Sequence, residues 1–311
     1  MSALARILVA VAVLAVLAAP AQAAFPGKNG AIAFGQRSAA AQEDGPPFLE
    51  WRRLAAAFPR SPNQRTIVEC ELSDDVPSGG DCTSREFHSP SYSADGNRLV
   101  FDAGEQLAIV GNDGSGISLL SPVTADDGDP AFSPDGRRIV FSGENDRGGT
   151  DVYVRRLDTG ASRPIILDAG EPAWSSRNEI AYVRSGNVYV ARPDGSHRRW
   201  VTSGVSPDWS PGGRLLLIVR PLPILRFDAP LGYMYRVGAR GRGLRRVSRE
   251  GLASHPVWSP DGRSFAYDAL DKGVLAKRFG AGGPGREVAP SEVGDSGSVA
   301  SFNPTWRPRP R

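Results

Sequence analysis

Six residues that can donate or accept hydrogen bonds stand directly before a proline in similar local sequences, and they are the best candidates for a site. One of them ends the stretch Asp126-Asp127-Gly128-Asp129. Oxygen-rich loops of this kind suit a hard divalent cation or another polar ligand. The alternative is that these side chains only cap turns, by hydrogen bonding the backbone where it enters a strand. The six residues are Ser89, Asp129, Glu171, Ser206, His255 and Asn303.

Residues that could form a catalytic site are sparse. Histidine occurs only at positions 88, 197 and 255, which limits general acid–base chemistry. The stretch Gly294-Asp295-Ser296-Gly297 echoes a serine-protease motif, but the histidine context of those enzymes is missing, so we interpret it as a coincidence. There is no Gly-x-Ser-x-Gly nucleophile elbow. A pair of carboxylates that acts on glycosidic bonds is an alternative that stays open, because the distance between two carboxylates cannot be read from the sequence. We therefore assign no catalytic residue and favour a protein that is not an enzyme.

The six prolines belong to a repeated phrase, Pro-x-aromatic, and repetition at this spacing indicates stacked supersecondary units. The intervals run from 35 residues (Pro172 to Pro207) to 49 residues (Pro207 to Pro256). Three copies continue into a Ser-x-Asp-Gly turn, and two others carry degenerate turns, Ser-Ser-Arg177-Asn178 and Ser-Pro-Gly212-Gly213. The aromatic residues of the phrase are Tyr92, Phe132, Trp174, Trp209, Trp258 and Trp306.

Each unit has the pattern of four short antiparallel strands. After Pro130, for example, a short apolar strand leads into a Pro-Asp-Gly turn, and Arg138 to Phe141 returns as a β-branched and aromatic strand. Six such units predict an all-β, six-bladed β-propeller of four-stranded antiparallel blades. We expect the C-terminal strand with Trp306 to pair with the strand of Ile32 and Phe34, which would close the ring without an exposed edge. The six pre-proline residues would then surround one mouth of the central channel.

The phrase Pro-x-Trp-Ser-Pro-Asp-Gly, followed by strands such as Ile139-Val-Phe141 and Val152-Tyr-Val154, resembles the repeats of TolB-like propellers. The opening Pro26-Gly-Lys-Asn-Gly-x-Ile-Ala-Phe34 is also similar to the usual start of that family, and the resemblance extends from about Phe25 to Trp306. It implies the six-bladed propeller fold and says little about function. In the family's namesake, an α/β domain that binds partners in a cell-envelope complex precedes the propeller, and we do not expect that domain in this chain.

Two long segments, at about 36–65 and 220–232, are read as insertions on the face that carries the channel mouth. In the first, the spacing of apolar residues between Phe48 and Phe58 predicts a short amphipathic helix. Loops rich in large apolar residues are typical of a partner-binding surface, although these could instead fold down over the blade tops. The candidate partner-binding residues are Phe48, Trp51, Leu54, Phe58, Leu222, Ile224, Leu225 and Phe227.

Residues 1–23 have the pattern of a signal peptide. Arg6 precedes an apolar run, and Ala21-Gln22-Ala23 is a small-x-small cleavage site. The run is shorter than the roughly 20 residues that a bilayer requires, so we expect cleavage and no transmembrane anchor. A single propeller domain over 24–311, secreted or periplasmic and monomeric, is the expected mature protein.

The two cysteines, Cys70 and Cys82, are predicted to form a disulfide, because an even count in an exported chain favours one. Metal binding by this pair is the weaker alternative, since no second Cys/His pair at zinc spacing accompanies it. The chain has 37 Lys and Arg against 34 Asp and Glu, and its basic residues are scattered, so nothing supports nucleic-acid binding.

These observations favour an exported, non-enzymatic scaffold that binds a protein partner in the cell envelope or extracellular space. This function requires no cofactor. Binding of a divalent cation at the channel mouth is an alternative that stays open. The alternative function is a propeller-type polysaccharide lyase or another carbohydrate-active enzyme, with His255 as a ligand of a metal at that mouth.

Overall fold

The computed structural model describes residues 25, 27–40, 48–58, 63–71, 87–104, 106–222, 231–248, 252–270, 272–290, 292–294 and 297–309. Across these ranges the regular elements are all β-strands. The all-β class predicted from the repeat is therefore present. No helix in the described ranges is long and apolar enough to cross a membrane. The predicted signal peptide lies outside the described residues.

The strands follow one another at the period of the repeat. In chain order they are β1 (Lys28–Ala40), β2 (Phe48–Ala57), β3 (Gln64–Glu71), β4 (Phe87–Tyr92), β5 (Arg98–Ala103), β6 (Leu107–Gly111), β7 (Ser118–Leu119), β8 (Asp127–Phe132), β9 (Arg138–Glu144), β10 (Thr150–Arg156), β11 (Ser162–Ile166), β12 (Gly170–Trp174) and β13 (Ile180–Arg184). They continue as β14 (Asn187–Ala191), β15 (Arg199–Ser203), β16 (Val205–Trp209), β17 (Leu215–Pro221), β18 (Gly232–Gly238), β19 (Arg245–Arg246), β20 (Ala253–Trp258), β21 (Ser264–Ala269), β22 (Gly273–Arg278), β23 (Arg286–Ala289), β24 (Glu292–Gly294) and β25 (Gly297–Arg309).

These strands form antiparallel sheets in the order expected for propeller units. Three sheets have four strands each, namely β4 to β7, β8 to β11 and β12 to β15. A five-stranded sheet has the order β24-β25-β1-β2-β3. The strands from β16 to β23 share one eight-stranded sheet rather than two separate ones, because the backbone of Gly232 in β18 pairs with that of Ala253 in β20.

The first strand of each unit carries the repeated aromatic residue, and all six of these residues are buried. The indole Nε1 of Trp209 donates a hydrogen bond to the carbonyl of Ala173 in the preceding unit, over 3.1 Å. Trp306 donates in the same way to the carbonyl of Gly30, over 3.0 Å. The indoles of Trp209 and Trp306 are therefore buried with their polar atoms satisfied, which favours their burial.

The C-terminal strand pairs with the N-terminal one, as the sequence predicts. Ile32 lies opposite Trp306, and β1 and β25 remain paired along most of their length. This pairing joins the two ends of the described chain in one sheet. It also gives β25 two neighbours, β24 and β1, so its backbone groups are satisfied on both sides.

The helix predicted between Phe48 and Phe58 is wrong, because residues Phe48–Ala57 form β2. The run from Leu54 to Ala57 has high helix propensity, but it is fully buried between β1 and β3 and pairs with both. Two-sided backbone pairing outweighs a propensity difference of a few tenths of a kcal/mol per residue. Much of the segment read as an insertion at 36–65 therefore belongs to strands of the five-stranded sheet.

Candidate functional site

The six pre-proline residues lie at equivalent β-bulges in β4, β8, β12, β16, β20 and β25. In β4, His88 pairs with Asp102 and Ser91 with Val100, so two residues, Ser89 and Pro90, oppose one residue of β5. The same two-against-one register recurs in the other five strands. We call these six the bulge residues: Ser89, Asp129, Glu171, Ser206, His255 and Asn303.

All six bulge residues adopt a left-handed backbone conformation, with φ between 45° and 56°. Residues other than glycine adopt this conformation uncommonly, at a cost of about 1–3 kcal/mol each. A bulge also removes a backbone N–H from its regular ladder bond. The surrounding structure must therefore both hold these residues in place and supply acceptors for their N–H groups.

Side chains of the preceding unit supply such acceptors at three positions. Ser142 Oγ accepts a hydrogen bond from the N–H of Glu171, over 3.1 Å. Glu171 Oε2 accepts one from the N–H of Ser206, over 2.6 Å. Asp268 Oδ2 accepts one from the N–H of Asn303, over 3.1 Å. Polar side chains near the bulges thus link consecutive units to one another.

Glu171 accepts the hydrogen bond of the next bulge N–H, which in other units is accepted by a side chain at a different position of the repeat. Ser142 and Asp268 occupy the same place in the repeat, because each pairs with the residue that precedes a bulge residue. In the unit of Glu171 that place is taken by Val183, which pairs with Gly170 and has no acceptor atom in its side chain. The side chain of Glu171 reaches the next N–H instead, so a bulge residue here replaces the missing acceptor.

His255 and Asn303 take part in a second polar cluster. His255 Nδ1 lies 2.5 Å from Asp268 Oδ2, the same oxygen that accepts from the N–H of Asn303. Asn303 Nδ2 lies 3.4 Å from Nδ1 of His88, which precedes the bulge residue of β4. Burial raises the pKa of Asp268, and the hydrogen bond and charge of His255 oppose that rise. Three consecutive units therefore meet through this cluster.

Two carboxylates near each other dominate the electrostatics of the bulge residues. Burial raises the pKa of Asp129 to about 7, and the nearby charge of Glu171 adds to the rise. A hydrogen bond from Ser142 Oγ, over 3.3 Å, and the charge of His255 act in the opposite direction. Burial also raises the pKa of Glu171, against the N–H of Ser206 and the charge of His255. Both side chains are half-buried.

Asp208, Asp268 and Ser142 are site residues that the sequence argument missed. Asp208 is fully buried, its Oδ2 accepts from the N–H of Trp258 over 2.6 Å, and burial raises its pKa well above the ordinary value. It occupies the x of a Pro-x-aromatic phrase whose other copies carry Ser, Ala, Val or Thr. The aspartate at this position distinguishes this copy of the phrase from the others, so the sequence alone points to it. The sequence around Ser142 and Asp268 contains no comparable signal for their hydrogen-bond partners.

The geometry does not assemble a metal site from the described residues. Within those ranges, no three His, Cys, Asp or Glu side chains are grouped so that they could hold a metal ion together. The acidic stretch before Asp129 has a structural task, because Asp127 accepts from the N–H groups of Val123 and Thr124. This is the turn-capping alternative raised by the sequence. Asp295 and Ser296 of the protease-like stretch lie outside the described residues.

The candidate partner-binding residues that the structure describes do not all lie on one exposed surface. Leu54 is fully buried in the core, so its predicted surface position is wrong. Phe58 is 42% exposed but follows Ala57, which pairs with Ile32, at the opposite end of the sheet from the bulge of Asn303. Both corrections follow from β2 being a strand that crosses the whole sheet. Leu222 is half-buried, Phe48 and Trp51 lie in β2, and Ile224, Leu225, Phe227 and Cys82 lie outside the described residues.

The five-stranded sheet extends past the bulge residues, unlike the others. Strands β1 and β25 have 13 residues each, and six residue pairs, from Gly35–Phe302 to Ala40–Gly297, lie beyond the bulge of Asn303. In the other units the first strand begins one or two residues before the bulge residue. Six pairs correspond to about 20 Å of strand. We call this part, with the facing residues of β2, the sheet extension.

Comparison with known proteins shows which class of protein has this arrangement of strands. A TolB homologue of Chlorobium luteolum is 29% identical over 167 residues, which is 46% of this chain and 36% of that protein, so well under half of the relative is matched. TolB from Acinetobacter baumannii has a TM-score of 0.67 at 13% identity, covering 92% of this chain and 68% of that one. An oligogalacturonate lyase in complex with manganese has a TM-score of 0.51 at 14% identity, covering 87% and 86%. No protein-family model matches the sequence.

The sheets and the solved structures define an all-β propeller fold. Within that class, the chain is similar to TolB proteins, in sequence to the TolB homologue and in fold to the TolB structure. The lyase resemblance shows the shared fold alone.

Proposed function

We propose that this chain is an exported, non-enzymatic scaffold, a closed six-bladed propeller that binds a protein partner in the cell envelope or extracellular space. The partner docks on the face that carries the bulge residues and the sheet extension. The following observations support the blade number, the lack of catalysis and the docking face in turn.

Contacts among the first strands support six blades in a closed ring. Strand β4 contacts β8, β8 contacts β12, and β12 contacts β16. Strand β16 contacts β20, β20 contacts β25, and β25 returns to β4. A cyclic order of six first strands is the arrangement of a six-bladed propeller, and the Ile32–Trp306 pairing would complete its last blade. On this view the eight-stranded sheet is two blades that touch through the single Gly232–Ala253 pair.

The tasks of the bulge residues support a scaffold rather than an enzyme. Glu171, His255 and Asn303 bond to groups of their own or neighbouring units, and their acceptors hold backbone N–H groups at strained positions. A catalytic acid or base needs to reach a substrate proton within hydrogen-bonding distance. Here the side chains of Glu171 and His255 bond to groups of the protein itself.

The sheet extension is the observation that carries the proposed docking face. It stands past the bulges by about 20 Å, farther than the first strands of the other units do. An elongated sheet offers the edges of its outer strands to a partner, and strand pairing at such an edge is a common mode of protein recognition. The predicted binding residues Phe48 and Trp51 belong to its β2 portion.

The experiment removes the tip of the extension without disturbing the blade. Arg37 and Arg52 are paired across β1 and β2, so residues 38–51 can be replaced by a two-residue Asn-Gly hairpin turn. We expect the shortened protein to lose the partners that the wild type captures from an envelope extract after crosslinking, with thermal unfolding nearly unchanged. The matched control is Trp200→Ala, which removes a 57% exposed aromatic residue from a distant strand and should capture normally. Recovery of the same partners by the shortened protein would overturn the docking face.

A metal-dependent polysaccharide lyase is the second candidate. The observation in its favour is the fold shared with the manganese-bound oligogalacturonate lyase, together with His255 and two carboxylates at the bulges. The described residues do not fit a metal, since they supply no three-ligand group. We therefore derive no step through a metal. Degradation of polygalacturonate by the purified protein with added Mn²⁺ would favour this candidate over the scaffold.

A further inference from the structure

Away from the bulge residues, a cavity of about 910 Å³ lies between two neighbouring units, and the proposed scaffold role does not explain it. It lies at the end of the strands opposite the bulges, where turns join β12 to β13, β14 to β15, β16 to β17 and β18 to β19. Its volume falls within the range of small-molecule sites. Five arginines line it, namely Arg177, Arg192, Arg199, Arg214 and Arg240, with Glu179 as the acidic lining residue.

The turns that border this cavity are the two degenerate copies of the repeat. In the regular turns an aspartate follows the serine by two residues and accepts from its hydroxyl, as Asp135 does from Ser133. That aspartate also balances nearby arginines, and Arg138 Nη2 lies 4.0 Å from Asp135. In the turns of the cavity the same place is taken by Arg177 and by Gly212. Two acidic groups that the repeat would provide are therefore missing where five guanidinium groups converge.

Neighbouring residues fix two of the arginines. Arg177 Nε donates to the carbonyl of Gly212 in the next unit, over 2.7 Å. Arg199 Nη2 bonds to Glu179 Oε1 at 2.8 Å, and its Nε lies 3.3 Å from the carbonyl of Ala239. Glu179 is thus already occupied by one arginine.

The other arginines keep most of their hydrogen-bonding capacity. Arg214 and Arg240 are exposed, and within the described part of the chain their side chains make no hydrogen bond or ion pair. Arg192 is exposed beside Asp194, whose carboxylate is already bonded to Ser196. Even with Asp194 included, positive charge exceeds negative charge around the cavity.

We propose that this cavity binds a small molecule carrying two or more carboxylate or phosphate groups. The guanidinium group presents paired N–H donors that match the oxygens of either group. Several arginines without an acidic partner surround one concave site. They favour an anion with several negative charges over an anion with one, because each additional anionic group can pair with a further arginine. The site lies on the opposite face from the proposed docking surface, so the two proposals stand independently.

Isothermal titration calorimetry on the mature protein tests this proposal directly. Inorganic tripolyphosphate and citrate are the probes, and inorganic phosphate, which carries a single anionic group, is the reference. We expect tripolyphosphate or citrate to bind at least tenfold more tightly than phosphate, and the preferred probe indicates the anionic group. The double variant Arg214→Gln/Arg240→Gln should weaken that binding at least tenfold. Arg137→Gln removes an arginine from the equivalent turn that retains Asp135, and should change binding by less than twofold.

Gly212→Asp provides a second test that leaves every arginine in place. It restores the repeat's aspartate, and a Cβ at Gly212 meets no atom within 4 Å, so the fold should tolerate it. We expect this variant to weaken anion binding as well. The proposal is overturned if the wild type binds neither probe at millimolar concentration, or if Arg137→Gln weakens binding as much as the double variant does.

Discussion

Glu171 Oε2 accepts a hydrogen bond from the backbone N–H of Ser206, the residue at the same bulge position one unit further along the chain, over 2.6 Å. One bulge residue thereby holds the next in its left-handed conformation. The contact exists because Val183 occupies the place from which Ser142 and Asp268 bond in other units. The carboxylate of Glu171 is therefore part of the structure that holds neighbouring units together.

Glu171→Ala should destabilise the protein by about 1–3 kcal/mol, because it leaves the buried N–H of Ser206 without its acceptor. Glu171→Gln keeps an acceptor oxygen at the same place and should cost much less. Chemical denaturation of both variants at pH 7 measures the difference. Equal losses for the two variants would show that charge, rather than the acceptor, is what Glu171 contributes.

Asp129→Asn should stabilise the protein more at pH 8 than at pH 5. The pKa of Asp129 is raised to about 7 from 3.8, so the folded state retains a proton between these values that the unfolded state has lost. The stability associated with this proton is complete below about pH 4 and is lost as pH rises through 7. Asparagine removes the charge that is unfavourable above pH 7, and we expect a gain of about 1–2 kcal/mol there.

Chemical denaturation gives the free energy of unfolding of the wild type and of Asp129→Asn at pH 5 and at pH 8. The prediction is checked by comparing the stability gained by the substitution at the two pH values. Glu171, Asp126 and His255 also face Asp129, and they are present in both proteins, so the comparison isolates the change at position 129. A gain of equal size at pH 5 and pH 8 would contradict the raised pKa.

Metal removal should leave the protein unchanged. The described residues supply no three-ligand group, so EDTA, Mn²⁺ and Ca²⁺ should shift the melting temperature by less than about 1 °C. Elemental analysis of the purified protein gives an independent reading. A stoichiometric bound metal, or a large loss of stability in EDTA, would instead favour the lyase candidate.

Reduction should lower the melting temperature, because a Cys70–Cys82 disulfide would constrain the unfolded chain by about 3 kcal/mol. The control is the double variant Cys70→Ser/Cys82→Ser, whose melting temperature should be insensitive to the reductant. Thiol titration of the native protein would contradict the prediction by finding two free thiols.

The sequence predicts the features that repeat and misses those that depend on strand register. Repetition places Trp306 opposite Ile32 and puts the six bulge residues at equivalent positions. It does not reveal that Asp208 bonds to the backbone of Trp258, 50 residues away, because that contact depends on how two units pack. The helix expected near Leu54 fails for a similar reason, since pairing with β1 and β3 outweighs the local propensity.

The most direct test of the scaffold account is amide hydrogen exchange on the protein alone and in complex with its captured partner. The account predicts partner-dependent protection in residues 35–40, 48–52 and 297–302, the backbone of the sheet extension. The turns at Asp95, Asp135 and Asp261, at the opposite end of the blades, should exchange equally in both states. Protection confined to those turns, with none in the sheet extension, would contradict the proposed docking face.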